Sequence, residues 1–165
     1  MMQTLTEQVL KSNLPDAFTD VDVINLLGDA SDASRHALVK RALAAGEILR
    51  VKRGLYLLAE PYRRTRPDLF CLAGRIYGPS YISLESALAA HGWIPEAVVT
   101  VTSGVFKRSA SFSTPLARFE FRTTPFRTLV GVERVETPRG GAYLQATPLR
   151  ALADLAHDRR GPSMN

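Results

Sequence analysis

The chain has one cysteine, Cys71, in 165 residues, so no disulfide and no cysteine-based zinc site can form within it. It has three histidines, His36, His91 and His157, and none falls in an HExxH or HxH pattern. There is no GxSxG elbow either. The pair Gly140-Gly141 follows Pro138-Arg139 and has no Lys-Ser/Thr after it, so it reads as hairpin-turn chemistry, not as a phosphate cradle. Ser83, Glu85 and His91 share one stretch, but six residues of helix turn through about 600°, which puts Glu85 and His91 on different faces. No apolar run approaches the ~20 residues that a membrane span needs. The start, MMQTLTEQVLKSN, lacks the cationic end and apolar core of a signal peptide. These absences lead to the expectation of a cytoplasmic protein with no catalytic residues, metal or cofactor.

What is present is an ordinary globular composition, 45% hydrophobic and 22% charged. The formal net charge is +5, which favours an anionic partner such as nucleic acid or an acidic protein. The placement of the charge says more than its sum. Residues 1–60 hold seven Lys and Arg against eight Asp and Glu, yet residues 35–53 hold six cations (Arg35, Lys40, Arg41, Arg50, Lys52, Arg53) and one acid, Glu47. Residues 61–165 carry 14 cations and eight acids without a run, as on a solvated surface.

Along the first part, Leu5, Val9 and Leu10 repeat at helical spacing, and Pro15 ends the pattern. Thr19 reads as an N-cap with Asp22 as its capping-box partner, Val23, Ile24 and Leu27 as the apolar side, and Gly28 as the stop. A third helix is predicted from Ser31 or Asp32 to about Ala45. Leu38, Val39, Ala42 and Leu43 would face inward, with Ser34, Ala37, Lys40, Arg41 and Ala44 outward and Gly46 as the stop. Residues 47–52 alternate as a strand that puts Arg50 and Lys52 on one side. Arg53-Gly54 makes a turn, and residues 55–58 return. A helix that leads into a basic ribbon suits duplex DNA, since a helix fits the major groove and a ribbon can follow phosphates. The segment therefore reads as the recognition helix and wing of a winged helix-turn-helix. Ser34, Arg35, His36, Lys40 and Arg41 on the helix, and Arg50, Lys52 and Arg53 on the wing, are the expected DNA contacts. The alternatives are a winged helix that binds only protein, a charged hairpin that is no more than a wet face, and a DNA-targeted nuclease-like enzyme.

The fold class expected is α+β: a winged helix-turn-helix over residues 1–60, a Pro/Arg linker over 61–66, and a small α+β domain with a mainly antiparallel sheet over 67–165. In that second part, helices are predicted from Pro67 to Tyr77, after a Ser83 cap, and after Thr147-Pro148 with Leu149, Leu152 and Leu155 inward. Strands are predicted at 97–102, 117–122, 129–136 and 142–145. Cys71 reads as a small buried apolar residue and Trp93 as the seal of a core edge. The final RRGPSMN is expected to fray.

Three stretches taken in order carry a resemblance: RVKRGLY (Arg50–Tyr56), YISLESALAAHG (Tyr81–Gly92) followed by a strand ending in Thr102-Ser103, and ATPLRALADL (Ala146–Leu155). Together they resemble the AbiEi-type antitoxins of type IV toxin–antitoxin systems, over nearly the whole chain. The resemblance implies an N-terminal domain that binds double-stranded operator DNA and represses its own operon. It implies a C-terminal domain that helps to neutralise a nucleotidyltransferase-like toxin, with or without direct contact. The chain stops soon after ATPLRALADL, where many members of that family continue. A monomer or weak dimer that binds DNA cooperatively is expected.

Overall fold

The protein is described by a computed structural model over residues 3–95 and 99–159. It divides into two compact units, the first ending at Arg66 and the second beginning at Pro67. It is an α+β chain with two sheets. No helix among the described residues is long and apolar enough to cross a membrane.

The first unit runs α1 (Leu5–Lys11), β1 (Ala17–Thr19), α2 (Asp20–Leu27), α3 (Asp32–Ala44), β2 (Ile48–Lys52) and β3 (Leu55–Leu58). Each helix starts on a hydroxyl. Thr4 accepts from the Glu7 amide, Thr19 forms a full capping box with Asp22, and Ser31 accepts from the Ser34 amide. Glycines end two of them: Gly28 follows α2 with φ 50° and Gly46 follows α3 with φ 71°, a backbone that β-carbon-bearing residues rarely adopt. Strand β3 lies between β1 and β2, antiparallel to both. Leu5, Val9, Phe18, Val23, Val39, Ala42, Ile48, Tyr56 and Leu58 close into one apolar core. Burying one such side chain stabilises by about 1.5–3 kcal/mol. Strand β1 was not foreseen: three residues, AFT, are too short to show a period of two.

The expected linker is instead part of the first unit. After a 3-10 turn over Glu60–Tyr62, Arg64 donates to the carbonyls of Val9, Leu10 and Leu14 and pairs with Asp16. A guanidinium thus supplies further donors to the carbonyls of Val9 and Leu10 in the last turn of α1. Ile24, expected to face inward, is 45% exposed.

The second unit runs α4 (Leu69–Ile76), β4 (Tyr81–Ile82), α5 (Leu84–Ala90), β5 (Thr100–Val105), β6 (Ala110–Ser113), β7 (Arg118–Thr123), β8 (Val132–Glu136), β9 (Ala142–Ala146) and α6 (Pro148–Arg159). Its sheet has the order β6-β7-β5-β4-β9-β8. The sheet is mixed: three neighbouring pairs are antiparallel, while β5–β7 and β4–β9 are parallel. Ala97 and Val98 of the expected first strand lie outside the described residues, as does the tail from Arg160 onward.

Three inward assignments are reversed. Leu149 is 75% and Leu152 39% exposed, because the inward face of α6 is taken by Arg150, Ala151 and Asp154. Trp93 is 54% exposed: Gly92 turns the chain with φ 76°, and the amide of Trp93 reaches back to the Leu88 carbonyl, so the indole leaves the core.

Arg150 and Asp154 form a buried ion pair, 3.3 Å apart. Asp154 also accepts from the hydroxyls of Tyr81 (2.7 Å), Ser83 (2.7 Å) and Thr124 (3.1 Å). Arg150 donates to the carbonyls of Phe126, Thr128 and Val130, which fixes the run before β8. Ser83 holds the N-cap position of α5, but its hydroxyl makes this distant bond and not a cap bond. Burial and the Asp154 carboxylate push the Tyr81 phenol up to about 12.

Two substitutions test this arrangement. A β-carbon on Gly104 would stand 2.3 Å from the Tyr81 ring. Gly104→Ala is expected to cost about 1–3 kcal/mol through overpacking, read by denaturant unfolding. Asp154→Ala strands a buried guanidinium and is expected to cost about 3–5 kcal/mol in the same measurement.

Candidate nucleic-acid interface

A groove of about 790 Å³ opens in the first unit, lined by α2, α3 and the β2–β3 hairpin. Helix α3 contributes Asp32, Arg35, His36, Val39, Lys40 and Leu43. The hairpin contributes Arg50, Arg53, Gly54 and Tyr56, and α2 contributes Asp20, Val23 and Ile24. Helix spacing explains the α3 wall: His36, Val39, Lys40 and Leu43 follow the i, i+3, i+4, i+7 pattern of one face. Ile24, left exposed by the core, forms part of the apolar side of the groove.

The eight residues singled out in the sequence separate into three groups. His36, Lys40, Arg50 and Arg53 are exposed and line the groove together. Arg35 borders the same groove, but its guanidinium is engaged with the Asp32 carboxylate and the Ala30 carbonyl at the start of α3, and its side chain is 15% exposed. It braces the link between α2 and α3. Ser34 and Arg41 are exposed on α3 but are not among the residues that line the groove. Arg41 is turned about 100° from Lys40, one residue's step around a helix, so the two do not share the face that their adjacency suggested. Ser34 serves the N-cap: its amide donates to Ser31 and its hydroxyl accepts from the same oxygen.

Lys52 is half-buried and also lies off the groove lining. The regular alternation expected over residues 47–52 is broken by a bulge between Arg50 and Lys52: Arg50 stands opposite Tyr56, and Lys52 opposite Leu55. Val51, the extra residue, is buried at 4% exposure. A bulge is what a period-of-two argument cannot see.

The acids near the groove are specific. Glu47, the one acid of the basic block, accepts from the Thr6 hydroxyl of α1 and is not among the lining residues. Asp20 is exposed and lines the groove, with its amide bonded to the Gly54 carbonyl at 3.1 Å. A β-carbon on Gly54 would stand 3.3 Å from the Asp20 carboxylate, and Gly54 has φ 80°, so the turn needs glycine on both counts. Burial first, then the Asp20 carboxylate, raises the Tyr56 phenol above its ordinary value. Neither Asp20 nor Tyr56 was singled out in the sequence; Tyr56 reads there only as a strand residue.

The second unit has an open polar cleft where Glu120 sits between Arg118 and Arg122 on β7, with His157 and Asp158 of α6 beside it. Hydrogen bonds from Arg122 and Arg118 hold the Glu120 carboxyl below its ordinary value. The Cys71 thiol is half-buried and raised by burial and by Asp68, which keeps it in the less nucleophilic protonated form. Among the described residues, no group of three or more His, Cys, Asp or Glu side chains is arranged to hold a metal ion.

Arg35→Ala is expected to lower stability by on the order of 1 kcal/mol, read as a lower Tm, since it removes a brace at the start of α3. Comparison with known protein families and with curated proteins finds no match for the chain.

Proposed function

We propose that the first unit is a winged helix-turn-helix that binds duplex DNA. On this view the chain is a transcriptional autorepressor and antitoxin of a type IV toxin–antitoxin system. The observation that carries DNA binding is the groove walled by His36 and Lys40 of α3 on one side and Arg50 and Arg53 of the hairpin on the other. Helix α3 would enter the major groove and the β2–β3 turn would lie on the adjacent backbone. One phosphodiester strand would then run between them, flanked by cations from both walls. Order within the unit supports the same reading: a helix, a short strand, two helices joined by a polar turn, then a hairpin that pairs back onto the short strand.

The antitoxin role rests on the resemblance to AbiEi-type proteins. Two of the stretches that carry it meet in the second unit: Tyr81 and Ser83 from one are bonded to Asp154 from the other. Those residues are buried and bonded to one another, so they hold the second unit together. The partner class implied is a nucleotidyltransferase-like toxin, and co-expression of the two proteins reads its neutralisation as restored growth.

Binding to the DNA upstream of the gene, read by gel shift or fluorescence anisotropy, tests the proposal. The triple variant Arg50→Ala, Lys52→Ala, Arg53→Ala is expected to abolish specific binding at moderate salt. Each lost phosphate contact is expected to flatten the dependence of log K on log salt by about one unit. Unchanged binding by this variant would remove the hairpin from the interface.

A further inference from the structure

An acid in the lining of a groove proposed to hold phosphates is an apparent liability, and exposed Asp20 is such an acid. It begins α2, immediately after the cap Thr19, and its backbone is tied to the hairpin turn through the Gly54 carbonyl. Tyr56 lines the same groove from β3, buried to 5% exposure, with its ring 5.8 Å from that of Phe18. Register places Tyr56 directly opposite Arg50 on the antiparallel ladder. Directly opposed side chains on such a ladder stand within reach of one another. Asp20, Tyr56 and Arg50 therefore line one groove from three elements, α2, β3 and β2.

Arg50 otherwise has an exposed, rotamer-rich side chain next to a bulge, and ordering it on binding would cost conformational entropy. A phenol braced by a carboxylate lowers that cost in advance, because the guanidinium finds an acceptor on the protein that sets its direction. We propose that Asp20 and Tyr56 are positioning residues for duplex recognition: Asp20 orients the Tyr56 hydroxyl, and the pair holds the Arg50 guanidinium toward the groove. The inference rests on the DNA-binding reading above and names two residues of that same site. The raised phenol of Tyr56, with Asp20 and Arg50 both acting on it, agrees with this grouping.

The test turns on a sign. Asp20→Asn makes the groove more positive, so simple attraction to phosphate predicts tighter binding. Positioning predicts the reverse: duplex affinity falls by about 2- to 10-fold, the worth of one ordinary hydrogen bond. Tyr56→Phe keeps the buried ring against Phe18 and is expected to lose a similar factor, so it serves if Asp20→Asn fails to fold. In an Arg50→Ala background both losses should vanish, which a general packing role would not produce. Tighter or unchanged binding by the folded variants, or an equal loss with Arg50 absent, overturns the inference. Failure of the wild-type protein to bind the upstream duplex at all would instead overturn the DNA-binding reading itself.

Discussion

Strand β3 is the constraint to which the first unit refers. All four of its residues, Leu55 to Leu58, are buried, and it is the only strand of its sheet paired on both edges. On one edge it holds β1, which passes without a loop into α2. On the other it holds β2, and with it Arg50. The groove is thus set by a strand with no charge of its own. The cations keep their places on the two walls because two ladders and one core fix the elements that carry them. That is how a small unit can hold four cations on two walls.

The second unit depends on a different device. Helix α6 turns Arg150 and Asp154 inward and leaves Leu149 and Leu152 to solvent, the inverse of the usual amphipathic arrangement. Burying the pair is tolerable because each spare donor and acceptor is used: three carbonyls for the guanidinium, three hydroxyls for the carboxylate. Hydrophobic periodicity read from α6 alone points the wrong way, since the partners that reverse it come from Tyr81, Ser83 and Thr124, 30 or more residues earlier.

Local chemistry was the part of the fold most legible in the sequence. Thr19 with Asp22, Ser31, and the glycine stops Gly28 and Gly46 are decided by residues within a few positions of each other, and they stand where capping rules put them. Of the candidate site, the pooling of cations in residues 35–53 was visible, and so was the face of α3 that packs. Hidden were the features made by distant contacts or by one added residue. The bulge at Val51 moves Lys52 out of step with Arg50. Asp32 and Ala30 draw Arg35 into the start of α3. Asp20 and Tyr56 meet only once the sheet has formed. A stretch rich in proline and arginine, as residues 60–66 are, looks like a spacer until the carbonyls of α1 are seen to need Arg64.

The strand order of the second sheet has a kinetic consequence. Strand β7 lies between β6 and β5, although both precede it in the chain, and it runs parallel to β5 over six residue pairs. The four residues from Phe106 to Ser109 must therefore carry the chain past the place that β7 later fills. The β6–β7 hairpin, closed by a short local turn, forms on the microsecond scale by itself, whereas its parallel seam with β5 brings together segments about 18 residues apart. The late step in building this sheet is then the insertion of a ready-made hairpin alongside β5, and a ribosome-bound chain whose emerged part ends before residue 118 would expose the seam edge of β5 to other strands.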